Sequence, residues 1–157
     1  MAKPRKPQAR RSIATNRRAR HEYEILDELE CGIVLVGSEV KSLRAGHASI
    51  AEAFGRIKDN ELWLCSATIP EYPNATIFNH LPVHDRKLLV HRGELDKWHK
   101  RVKERGVTVI PLELYFQGSR VKCSMALCKG KKLYDKRQSE RDKEDQRAMD
   151  RAVGRRR

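Results

Sequence analysis

The stretch VTVIPLELYFQGSRVKCSMAL (107–127) decides how this chain is read. Val107–Phe116 and Arg120–Leu127 are two long, alternating, β-rich runs joined through Gln117-Gly118-Ser119, the pattern of an antiparallel hairpin. Just upstream, Glu94–Arg105 carries Leu95, Trp98 and Val102 at helical spacing, and Gly106 is a natural stop. Residues 70–84, with Pro70, Pro73 and Pro82, read as a long loop. Ala53–Lys58 and Leu62–Ser66 flank the turn-prone pair Asp59-Asn60 and predict a second hairpin. In GSEVKSLRAG (37–46) the period changes: Val40 and Leu43 fall on the inner side of a short helix that stops at Gly46. Before it come the run Ile-Val-Leu-Val between Gly32 and Gly37, and a strand in which Tyr23, Ile25, Asp27 and Leu29 alternate. Six or so antiparallel strands with short helices suit a small closed barrel, and an OB-like barrel is the expectation. Periodicity alone leaves an SH3-like barrel or an α+β sheet open.

The 157 residues suffice for one domain. With 34 Lys+Arg against 21 Asp+Glu the net charge is +13, which argues for a polyanionic partner. Residues 1–20 carry eight basic and no acidic side chains, and residues 129–157 carry twelve against six, around a nearly neutral body. The division expected is a basic, disordered arm over 1–15, the barrel over 16–130, and a basic tail over 131–157. Beyond Leu133 and Tyr134 the apolar residues of the tail are Ala148, Met149, Ala152 and Val153. It is rich in helix formers, and Arg137/Arg141 and Arg147/Arg151 stand one helical turn apart, as does the opposed pair Arg141/Asp145. So thin an apolar face predicts a tail disordered alone and helical when bound to an RNA surface.

Other chemistry finds little support. The four cysteines (31, 65, 123, 128) form no CxxC pair, and are expected as free, buried thiols. GKK at 130–132 lacks the rest of a phosphate loop, and neither HExxH nor GxSxG occurs. His80, His84 and Asp85 are the one imaginable metal or acid–base group, and Glu28, Glu30 and Glu39 read as solvated or paired with Lys/Arg. No enzyme activity, cofactor or metal is expected. No apolar run approaches the ~20 residues of a membrane span, and MAKPRKPQARR leads into no hydrophobic stretch. A soluble, cytoplasmic protein without a membrane partner is the expectation.

Four strings are more specific than composition: NRRARHEY (16–23), GIVLVGSEVKSLRAG (32–46), RKLLVH (86–91) and GKKLYDKR (130–137). In this order and spacing they resemble the SmpB family, the SsrA-binding proteins of bacterial trans-translation, over roughly 13–153. The resemblance implies an OB-like barrel that binds the tRNA-like domain of tmRNA and accompanies it to the A site of a stalled ribosome. It implies a tail that folds as a helix in the vacant messenger channel, and elongation factor Tu and alanyl-tRNA synthetase as partners through tmRNA. A monomer is expected.

The RNA-binding candidates are Arg17, Arg18, Arg20 and His21 ahead of the first strand, and Lys41 and Arg44 on one helix face. Arg86 and Lys87 of RKLLVH and Lys129, Lys131 and Lys132 around the start of the tail join them. By the resemblance, Glu30 matches an acidic position associated with tmRNA binding, and Leu89 and Lys122 lie near others. Tyr134 sits in a basic run, where stacking on an unpaired base is worth roughly 1–3 kcal/mol. The resemblance makes Tyr134, Asp135, Lys136 and Arg137 ribosome-contacting, followed along the tail by Arg141, Lys143, Arg147 and Arg151. Asp135 is also placed to cap the tail helix. A ribosomal protein or other translation factor with basic arms would share this charge layout, and an RNA-processing enzyme would need an acid–base or metal pocket.

Overall fold

The computed structural model describes residues 9–75, 79–131 and 133–154, with the backbone alone for 133–136. Its spine is the hairpin of β6 (Val107–Gln117) and β7 (Arg120–Gly130), paired from Gln117↔Arg120 out to Val107↔Lys129. Gly118 turns the chain at φ +64, which glycine adopts without steric cost. Both faces of this hairpin are covered. Val109, Leu114, Cys123, Met125 and Leu127 enter the main core, while Ile110, Leu112, Ala126 and Cys128 pack under Ala19. That explains the near-continuous apolar run of β6, which a half-exposed strand would not tolerate.

Around this hairpin the chain closes a ring. β2 (Tyr23–Ile33) lies along β7, and β5 (Arg86–Leu89) meets β2 at Gly32 and Ile33. β4 (Glu61–Cys65) follows β5, and β3 (Phe54–Lys58) joins β4 through Asp59 and Asn60, at φ +52 and +57. Two consecutive positive φ values mark the tight hairpin turn that Asp-Asn accommodates. β3 then reaches β6 at Gly55↔Val109 and closes the circuit of six strands. A seventh, β1 (Arg10–Thr15), takes the remaining half of that edge of β6. The expectation of a disordered arm through residue 15 is thereby corrected. The strand is held by backbone hydrogen bonds that charge and composition do not reveal, and Arg10 and Arg11 lie over the rings of Tyr115 and Phe116.

Short helices decorate the ring. α1 (Ala19–Glu22) has no counterpart in the sequence reading. α2 (Gly37–Arg44) falls where it was expected, and Gly46 follows it at φ +84. Its buried face is Glu39, Ser42 and Leu43, with Val40 only half-buried, so the inward pair Val40/Leu43 is corrected. α3 (Arg92–Val102) ends three residues before the expected Arg105 and buries Leu95 and Trp98, whose indole donates to Asp27 at 2.9 Å. α4 (Leu133–Gly154) occupies the tail that was expected to be disordered in the free chain. Side-chain bonds one turn apart support it, Gln138 to Asp142 and Gln146 to Asp150, both at 3.0 Å. The expectation of a thin apolar face fits its burial: from Arg137 onward every described residue is exposed except half-buried Ser139.

Candidate nucleic-acid interface

The pairing register places Tyr115, Lys122, Gly32 and Leu89 in one row across four strands. Tyr115 is buried, and its hydroxyl donates to Glu30 at 2.5 Å. Burial and that bond push the phenol well above its ordinary pKa of 10.0, so it stays a donor. The Lys122 ammonium stands 3.5 Å from the other Glu30 oxygen. Arg10 covers the ring of Tyr115 at 3.8 Å and pairs with Glu113. Glu30 is thus aimed outward by two donors while half of its side chain remains in solvent, and it can accept from a base or orient a cation. Leu89 is 53% exposed beside it. A Cβ on Gly32 would come within 3.2 Å of the Leu89 Cβ, so glycine lets Leu89 lie flat on the sheet.

A second surface is the outer face of α2. Lys41 and Arg44 are exposed, as expected, with the Lys41 ammonium 5.6 Å from the ring centre of Tyr72. The structure adds Arg11, which donates to the Arg44 carbonyl at 2.8 Å and so brings a third cation to this face. Nothing in the sequence joins residues 33 positions apart. Arg17, Arg18 and Arg20 are exposed around α1, and Arg20 bonds Glu28 at 3.2 Å. His21 stands 3.3 Å from Glu140 of α4, and Lys131 donates to the carbonyls of Glu22 and Arg20 at 2.9 and 3.1 Å. The tail helix therefore leaves the body from beside α1.

Two candidates move. Arg86 is buried, with its guanidinium on Glu39 and on the carbonyls of Ala67, Pro82 and His84, so it is not a phosphate contact. The sequence shows its charge, while its burial comes from the loop over it. Lys87 is half-exposed and paired with Glu61 at 2.8 Å. Lys129 is exposed, as are Arg137, Arg141, Lys143, Arg147 and Arg151 on α4. Lys132 and the side chains of Tyr134, Asp135 and Lys136 lie outside the described residues. His80 is bonded to Ser38 and to the Ile69 carbonyl, each at 2.8 Å, while His84 pairs with Glu39, so these rings serve the fold. The four cysteines are free and buried, and burial pushes Cys31 up to about 12 and Cys65 and Cys128 up to about 11.

A family model described as SmpB protein matches residues 13–155. The chain belongs to the SmpB family. An SsrA-binding protein of Parafrankia sp. (strain EAN1pec) is 49% identical over 150 residues, covering 96% of this chain and 95% of that protein. One from Streptomyces avermitilis is 51% identical over 144 residues, covering 92% and 81%. A solved structure described as "tmRNA-SmpB: a journey to the center of the bacterial ribosome" superposes with a TM-score of 0.63 at 41% identity, covering 82% of this chain and 87% of that one. The SmpB match takes in the Glu30 row, the α2 face and the described part of α4, while Arg10 and Arg11 lie ahead of it.

Proposed function

We infer that this SmpB-family chain is an RNA-binding adaptor of ribosome rescue. It binds the tRNA-like domain of tmRNA and delivers it to the A site of stalled ribosomes, where the incomplete peptide is tagged. The observation that carries this is the family match over residues 13–155, which takes in the body that bears Glu30, Lys41 and Arg44 and most of the basic tail. The six-strand ring is read as an OB-like barrel, whose faces suit RNA held by shape, stacking and 2′-hydroxyl contacts. The Glu30 row and the Lys41/Arg44/Arg11 face meet tmRNA. The tail, through Tyr134 to Arg137 and the cations of α4, meets the ribosome near the messenger channel. The adaptor itself is not catalytic, acts as a monomer in the cytoplasm, and meets elongation factor Tu and alanyl-tRNA synthetase through tmRNA. Among the described residues no helix is long and apolar enough to cross a membrane.

The test is binding of the purified chain to tmRNA and to bulk tRNA across a salt series, alongside a Lys41→Glu/Arg44→Glu chain. Tight, selective tmRNA binding that persists as salt rises is expected. The charge reversal is expected to weaken it at least tenfold and to lower the salt slope by about 1–2. Equal affinity for both RNAs, collapsing with salt, would instead put a ribosomal protein ahead.

A further inference from the structure

An open hollow of about 350 Å³ lies where β1, the end of α2 and the turn between β6 and β7 meet. It is lined by Ala9, Arg11, Arg44, Phe116, Gly118 and Ser119. Backbone pairing brings these parts together: Arg11 stands opposite Phe116, and the Gly118 amide donates to the Ala9 carbonyl at 3.2 Å. Two further contacts fix Arg11. Its guanidinium carbon stands 5.2 Å from the centre of the Phe116 ring, and one terminal nitrogen donates to the Arg44 carbonyl at 2.8 Å. That bond takes one of the five N–H donors of the guanidinium and leaves others for a ligand. The lining is cationic without a counterion. Its charged groups are Arg11 and Arg44, both exposed, and neither enters an ion pair among the described residues. Elsewhere on the body Arg10, Arg20, Arg56 and Lys87 each pair with a carboxylate. Residues 1–8, which lead into Ala9, contain no Asp or Glu. The one other polar side chain of the lining is the exposed Ser119.

We propose that this hollow seats one backbone phosphate of the bound tmRNA, shared by Arg11 and Arg44, with the Ser119 hydroxyl as a further donor. Two guanidiniums lining one hollow repel each other, and an anion between them replaces that repulsion by attraction. The planar fork of a guanidinium matches the oxygens of a phosphate, which a lysine ammonium meets only as a point charge. The carbonyls at the end of α2 disfavour an anion, and the bond from Arg11 to the Arg44 carbonyl offsets this. No side chain of the lining can both donate to and accept from a base edge except Ser119, so the contact positions the RNA without reading its sequence. Arg11 lies ahead of the residues that the SmpB model matches, so the family match does not by itself supply this contact. The proposal deepens the RNA-binding reading of the α2 face and rests on it.

The test is binding of the full chain to tmRNA and to bulk tRNA across a salt series, with each variant checked by amide NMR for an unchanged spectrum elsewhere. Arg11→Gln/Arg44→Gln is expected to bind tmRNA about tenfold more weakly, as the loss of charge-assisted hydrogen bonds implies. The slope of its log affinity against log salt is expected to fall by about 1, the value for a single phosphate. A fall of about 2 means that the arginines meet separate phosphates, and overturns the shared seat. Arg11→Lys/Arg44→Lys keeps both charges and is expected to keep the slope. A loss there equal to that of the glutamine variant makes the effect structural and overturns the proposal. Inorganic phosphate is expected to shift the amides of Arg44, Gly118 and Ser119 saturably in the wild-type chain and not in the glutamine variant. Such shifts beside unaltered tmRNA binding by that variant mean a free anion only, and overturn the proposal. A wild-type chain that does not prefer tmRNA overturns the adaptor reading instead.

Discussion

Glu39 shows how one residue sets the position of an interface. Its carboxylate is buried on α2, pairs with His84 and Arg86, and accepts from the Val36 amide at 3.3 Å. Arg86 is equally buried, and the desolvation of its guanidinium, which lowers its pKa, is opposed by Glu39. The pair pins the helix that carries Lys41 and Arg44 against the loop ending at β5. Removing one partner of a buried pair leaves a charge without compensation, at about 3–5 kcal/mol. Glu39→Ala is therefore expected to lower stability by about that much in urea unfolding, and a loss below about 1 kcal/mol would contradict it. The thiols give a second expectation. Burial raises Cys31, Cys65 and Cys128 from 9.0 to about 12, 11 and 11, so the fold favours the neutral thiol. Below pH 9 folded and unfolded chains are protonated alike; as pH climbs from 9 towards 11–12 the unfolded chain ionises first and stability falls. The urea midpoint should decline over that window, and substituting the three cysteines by serine or alanine should flatten the decline. At this scale the structure leaves Glu30, Lys41 and Arg44 at the surface, where a contact with RNA requires them. It misplaced Arg86 because burial belongs to the neighbours of a side chain rather than to its chemistry.

At the scale of elements, the two hairpins were legible because their turns are chemical signals. Asp59-Asn60 and Gly118 supply the positive φ values that tight turns demand. The contact between β3 and β6 was not. It rests on Gly55, where a Cβ would lie 2.6 Å from Val109 Cγ1 and 2.8 Å from Met125 Cε. Gly55→Ala is expected to cost about 1–3 kcal/mol, as overpacking does. Hydrogen exchange of the β3 and β6 amides should quicken, and unchanged protection there would refute a closure that depends on glycine. β1 escaped notice for a related reason: Arg10-Arg11-Ser12 has little apolar alternation, and its strand state comes from an edge of β6 that β3 leaves open. The short α1 was hidden because one turn carries too little periodicity to register.

For the whole molecule, the charge layout separates a nearly neutral ring from cationic ends, and α4 projects from beside α1 with almost all of its described surface in water. A 22-residue helix with so little packing holds by local bonds and should open readily. In hydrogen exchange on the free chain, the amides of 140–153 should exchange far faster than those of β6 and β7, and protection equal to the strands would contradict this. Replacing Tyr134, Asp135, Lys136 and Arg137 together by alanine should leave tmRNA affinity within about twofold, the scale of ordinary surface substitutions, while abolishing peptide tagging. Loss of tmRNA binding would move the recognition surface into the tail.

The sequence by itself determined the β-rich class, the two hairpins, the helix at GSEVKSLRAG, the buried thiols and the family, because turn residues, alternation and motif order are local properties of the chain. Only the tertiary structure decided that Tyr115 and Lys122 hold Glu30, that Arg11 joins Arg44, and that Arg86 turns inward. Each of these depends on which strands lie side by side, and that is fixed by the closing of the ring rather than by any one segment.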